Sequence, residues 1–208
     1  NTKSTAFLMN SKLDAGDILC ASYRPVAVND TQPNQYYWDD TASYLELANN
    51  LGICSVIAAG DRGIDLSGLE FSTSEGASAN VIVAAAVSPG APFKRWATGA
   101  RASNFSSAPI GDTGTDYQTI TVSGWGAGVT TCGKGFNRDN YLGYNTIVYS
   151  DQTDAHVVHA QAYTSNFGFT GAAAAQAAGA AAQLQGFTKQ IFGIPMGPEV
   201  CRQLSAGG

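Results

Sequence analysis

Apolar residues along this chain fall into short unbroken runs separated by long polar stretches, and glycine, proline or aspartate punctuates most of the runs. Asp17-Ile-Leu-Cys-Ala-Ser22, Ile53-Cys-Ser-Val-Ile-Ala-Ala59 and Asn80-Val-Ile-Val-Ala-Ala-Ala-Val87 have strand length and no alternation. Each therefore reads as a strand buried on both faces, as in a parallel sheet. Between the first two, Tyr44, Leu45, Ala48 and Leu51 recur at helical spacing, with Asp40 placed to cap a helix over Thr41–Leu51 and Gly52 where a left-handed C-cap belongs. Strand, helix, strand with a short connection after the helix predicts a parallel βαβ unit. Thr119–Val122 and Gly128–Thr131 are shorter, more alternating strand candidates, with Trp125 between them.

One segment breaks this rhythm. After the polar approach Tyr163-Thr-Ser-Asn-Phe-Gly-Phe-Thr170 the chain becomes rich in alanine, and Ala, Gln and Leu predict a helix over Gly171–Gln185 with Thr170 able to cap it. Its small side chains suit a central, buried helix that packs its backbone close to a neighbouring layer, with Gly179 as the contact point. Pro198–Leu204 reads as a last short helix, proline in its first turn. Residues 23–40 and 136–163 read as long loops, and no internal repeat is present.

Composition narrows the function classes. A chain of 208 residues with 44% hydrophobic and 13% charged residues is ordinary for one globular domain. Its formal charge of -5 and lack of a Lys/Arg cluster argue against nucleic acid and anionic membrane surfaces. No apolar run is long enough to span a bilayer, since Gln176, Gln183 and Gln185 interrupt the alanine stretch. Cys20, Cys54, Cys132 and Cys201 lack the paired short spacing of a zinc site, and they allow three full disulfide pairings. The sequons at Asn29 and Asn104 are candidate glycosylation sites and, with the low charge, point to secretion.

The alanine-rich segment resembles the stretch of the subtilisin-like serine peptidases that reads Gly-Thr-Ser-x-Ala-x-Pro-x-x-Ala-Gly-Ala-Ala, matched on Gly168, Thr170, Ala173 and Gly179-Ala180-Ala181. Further landmarks fall in the family's order over residues 16–208. Leu51–Asp61 resembles the strand ending Ala-Ala-Gly-Asn, and Val81–Val87 the next strand. Arg101–Ser107 resembles a Ser-Asn-Phe segment, Val122–Thr131 the stretch before the nucleophile loop, and Pro198–Gly208 the helix after the nucleophile helix. The resemblance implies an α/β, three-layer domain over residues 1–208, with a mainly parallel, doubly wound sheet and a buried helix. It also implies that the family's N-terminal segment carrying the catalytic Asp and His is missing from this stretch.

By the same resemblance the catalytic constellation is not intact. The nucleophile's position holds Gly171, which has no oxygen to form an acyl intermediate. The oxyanion amide's position holds Asp61, whose carboxylate would repel the charge that an amide stabilises. His156 and His159 lie in the wrong part of the chain for the family's base, and Ser165 and Thr170 have no base of their own. Asp39-Asp40 and Asp14/Asp17 read as caps and solvated loop charges rather than calcium ligands, so neither metal nor cofactor is expected.

What remains suggests recognition. The carboxyl ends of adjacent parallel strands should leave a groove among Ser22-Tyr23, Gly60-Asp61 and Phe169-Thr170-Gly171. Tyr36-Tyr37-Trp38 beside Asp39-Asp40 is a second binding candidate, of a kind that holds saccharides or peptide side chains. The expected function is a secreted, catalytically inactive subtilisin-like protein with a recognition or scaffolding role. The alternatives are a saccharide-binding or storage protein on the same fold, or one chain of a processed serine endopeptidase. In the family, the strand at Asp17–Ser22 has a neighbour from the segment before residue 1. A second polypeptide from a common precursor, or a homodimer partner, is therefore expected on that edge, unless Ala6–Met9 folds back to cover it.

Overall fold

Three of the apolar runs lie side by side in the order in which the chain makes them. The computed structural model describes residues 11–22, 44–61, 80–90, 97–98, 101–102, 120–132 and 163–206. In chain order the strands are β1 (Ile18–Ala21), β2 (Cys54–Ala58), β3 (Ile82–Val87), β4 (Ala97–Thr98), β5 (Arg101–Ala102), β6 (Val122–Trp125), β7 (Val129–Cys132) and β8 (Tyr163–Phe167). β1-β2-β3-β6 form a parallel sheet, with Ile18 aligned to Cys54, Val56 to Ile82 and Ala84 to Val122. β4 pairs with β5, and β7 with β8, as antiparallel two-stranded units.

Helices cover both faces of the sheet, the layering expected from strands that are near-continuous apolar runs. Cys54, Val56 and Ala58 of β2 share a core with Ile82, Ala84 and Ala86 of β3 and with Ala173, Ala174, Ala178 and Ala181 of a long helix, Phe169–Phe192. The alternate residues Ile57, Ala59, Val81, Val83 and Ala85 pack on the opposite face around Leu45 of the helical residues 44–50. Gly52 ends that helix as expected, at φ +76° with its N–H on the Asn49 carbonyl at 3.0 Å. A positive φ is nearly free for glycine and costly for any residue with a Cβ.

Several boundaries differ from expectation for identifiable reasons. The long helix runs past Gln185 to Phe192, because nothing in Gly186–Phe192 stops it until Gly193 at φ +75°, whose N–H donates to the Lys189 carbonyl at 3.0 Å. It is buried on one stripe rather than all round, and Gly179 is exposed, with open space where a Cβ would stand. The close backbone approach belongs instead to Gly124 of β6, where an added Cβ would sit 2.8 Å from Ala173 Cα.

β6 starts later than Thr119. The Thr121 hydroxyl accepts the Val83 N–H at 3.2 Å and so takes up a backbone donor at the edge of β3. β8 was not expected, since Tyr163–Phe167 is apolar only at its ends. β1 is half-buried with Cys20 exposed, not buried on both faces, because it is an edge of the described sheet.

The helical connection is also pinned. Gln185, buried, donates from Nε2 to the Met196 carbonyl at 2.9 Å and accepts the Met196 N–H on Oε1 at 2.8 Å. This fixes the turn leading into the final helix, Pro198–Ala206. That helix begins with its proline in the first turn, as expected.

Candidate functional site

Three chain segments meet where β1 and β2 end and the long helix begins. Ser22 follows β1, Gly60-Asp61 follows β2, and Phe169-Thr170-Gly171 forms the helix's first turn. Gly60 can make its turn because it sits at φ +100°.

Thr170 is the hub, at 1% exposure. Its hydroxyl accepts the Gly60 N–H at 3.1 Å and donates to Asp61 Oδ1 at 2.9 Å. The same carboxylate oxygen accepts the Thr170 N–H at 2.8 Å. Donor and acceptor capacity of the hydroxyl are both used, so it is a filled structural link with no exposed oxygen for attack. Thr170 is also not the helix cap that the sequence suggested. The N-cap residue is Gly168, which has no side chain to offer, and the capping acceptor comes from Asp61 more than a hundred residues away. A carboxylate there satisfies one of the helix's unpaired N–H groups and lies at the positive end of the helix dipole.

Gly171 faces Ser22 at very short range. A Cβ built on Gly171 would lie 2.6 Å from the Ser22 carbonyl oxygen, so the two backbones pack against each other with no space for a side chain between them. The approach to the helix is equally tight. A Cβ on Gly168 would meet the Gly126 carbonyl oxygen at 2.5 Å, and the Phe169 N–H donates to that same oxygen at 2.7 Å. Phe169 sits at φ +65°, a left-handed conformation that residues with a Cβ adopt at a cost of about 1–3 kcal/mol.

A further polar side chain belongs to this region, and the sequence pattern showed it only as an interruption of the alanine run. Gln176, one of the polar residues in the alanine run, donates from Nε2 to the Trp125 carbonyl at 2.9 Å and accepts the Trp125 N–H on Oε1 at 3.2 Å. Its amide thus occupies the backbone edge of β6 as another strand would, and Nε2 also reaches the Ala172 carbonyl at 3.1 Å. The signal was a lone amide in an otherwise apolar motif position.

Of the residues expected to form the site, Ser22, Gly60, Asp61, Phe169, Thr170 and Gly171 are brought together. Tyr23, Tyr36, Tyr37, Trp38, Asn29, Asn104, His156 and His159 lie outside the described residues. Among the described residues no group of three or more His, Cys, Asp or Glu is placed to hold a metal ion, and no helix is long and apolar enough to cross a membrane.

Comparison with known proteins places this geometry. A solved structure titled "Crystal structure of a cold adapted subtilisin-like serine proteinase" superposes at TM-score 0.56 and 12% identity, over 100% of this chain and 54% of that one. "Crystal Structure of a Lanthipeptide Protease" does so at TM-score 0.55 and 14% identity, over 98% of this chain and 56% of that one. The chain therefore spans about half the length of these proteins. No curated protein matches it. The model of the subtilase family matches residues 3–205, nearly the whole chain, and the chain belongs to the subtilase family.

Proposed function

We propose that this chain is a secreted, non-catalytic subtilase that works by recognition or scaffolding. The observation that carries the reading is the contact at Gly171. If Gly171 stands at the family's nucleophile position, the hydroxyl is missing, and the Ser22 carbonyl fills the space in which its Cβ would have to stand. Asp61, at the family's oxyanion position, is an acceptor committed to Thr170 rather than a donor aimed at a developing anion. The site has thus been rebuilt as a packed joint.

Fluorophosphonate labelling and casein hydrolysis test this. The expected result is no label on this chain and no hydrolysis, for the natural protein and for Gly171→Ser alike, since the Ser22 carbonyl leaves the added side chain no room and Asp61 offers no oxyanion donor. Stoichiometric labelling of the natural chain overturns the proposal.

A second reading is favoured by one observation, that among the described residues no strand pairs with the outer edge of β1. On that reading it is one chain of a processed endopeptidase and is held by another polypeptide. The two readings share a partner, which we place on the outer edge of β1. There the partner is a second polypeptide from the same precursor, or a second copy of this chain, adding a strand.

A further inference from the structure

Two of the four cysteines meet in the interior. Cys54 opens β2, and Cys201 lies in the first turn of the final helix with its N–H on the Gly197 carbonyl at 3.0 Å. Both have 0% exposure, and both belong to the core between sheet and helices, beside Met196 and Ala181. A single buried cysteine needs no explanation, because a thiol packs as a small apolar group. Two neighbouring ones are different: Cys54 and Cys201 lie in the same core cluster, where the final helix packs on β2.

The remaining cysteines are placed less well. Cys20 is exposed on β1, aligned with Val56 and only a diagonal neighbour of Cys54. Cys132 belongs to β7, in the separate β7-β8 pair.

We infer that Cys54 and Cys201 are a cross-linking pair, which an oxidising disulfide converts into a covalent tie between the central strand of the sheet and the final helix. Neighbouring thiols enclosed in one core, on two elements packed against each other, are the arrangement from which an S–S bond forms with little backbone movement.

The polarity of the pair orders the steps. The hydrogen bond to Cys201, followed by burial, pushes the Cys54 thiol up, whereas the hydrogen bond it receives from Cys54 pulls Cys201 down. Cys201 is therefore the sulfur that ionises first and attacks. With glutathione disulfide as oxidant, the Cys201 thiolate bonds to one glutathione sulfur and expels the other as a thiolate. The Cys54 thiol then loses its proton, attacks the Cys201 sulfur of the mixed disulfide and expels the second glutathione. Two protein thiols are oxidised, one glutathione disulfide is reduced to two thiols, and the two protons released end on them. Because both sulfurs are enclosed, exchange requires the final helix to lift or takes place before it docks.

The test is a disulfide map of the full chain. Folded protein is incubated with excess glutathione disulfide just below its unfolding transition, then denatured without reductant, alkylated with iodoacetamide and digested. The expected result is one peptide pair joining Cys54 to Cys201, with both residues escaping alkylation, and an oxidised protein that melts several degrees above the reduced one. Cys201→Ser should abolish the cross-linked pair and leave Cys54 alkylated. Full alkylation of both residues in the oxidised wild-type sample overturns the inference, as does Cys54 joined to Cys20 or Cys132. The wild-type map decides even where the variant does not fold.

Discussion

Asp61 illustrates how one residue carries the junction of strand and helix. Its Oδ1 receives two hydrogen bonds from Thr170, and Thr170 in turn receives the Gly60 N–H, so removing the carboxylate leaves a buried hydroxyl and a helix N–H short of partners. Asp61→Ala should cost about 1–2 kcal/mol, in the range of a lost helix cap. Asp61→Asn keeps an acceptor oxygen and loses only the charge at the helix's positive end, so it should cost about half as much or less. Urea unfolding of the two variants measures this. Equal losses would mean that charge rather than hydrogen bonding holds the joint, and no loss in Asp61→Ala would dismiss the joint altogether.

At the scale of elements, the close-contact role that the sequence suggested for Gly179 of the long helix falls to Gly124 of β6. Gly179 is exposed in a helix interior with room for a Cβ, so Gly179→Ala should stabilise the protein by about 0.5–1 kcal/mol through helix propensity alone. Gly124→Ala forces a Cβ to within 2.8 Å of Ala173 Cα and must part strand from helix, at a cost of about 1–3 kcal/mol. Opposite shifts in the thermal midpoints are the expected outcome, and shifts of the same sign would contradict the packing described for this face.

The same comparison shows what the sequence discloses. The buried strands β2 and β3 were legible because they are apolar throughout save for Ser55, and the helix after Asp40 because its period and its glycine stop agree. What could not be read was partnership at a distance. Nothing local indicates that Gly171 meets Ser22, that Asp61 rather than Thr170 serves the helix start, or that Gln176 lies along Trp125. β8 stayed hidden for the same reason, since its pairing with β7 depends on a strand over thirty residues upstream.

For the whole molecule the question is how each end of the parallel sheet is finished. At β6 the Gln176 amide takes both the N–H and the carbonyl of Trp125, so a side chain stands in for the next strand. At β1, among the described residues, no strand pairs with the outer edge, and Ile18–Ala21 is half-exposed. A strand edge that no described strand pairs with is a template for pairing with another chain, which is why the function proposed above places a partner there. Natural material should then elute above the mass of a single chain in size-exclusion chromatography. Denaturing mass spectrometry should resolve it into this chain plus a second polypeptide, or into this chain alone from a dimer. In the assembled species the β1 amides not bonded to β2 should exchange slowly with deuterium, and mild dissociation should make the same amides exchange fast. A strictly monomeric species in which those amides exchange at the rate of an open edge would remove the partner from the proposal.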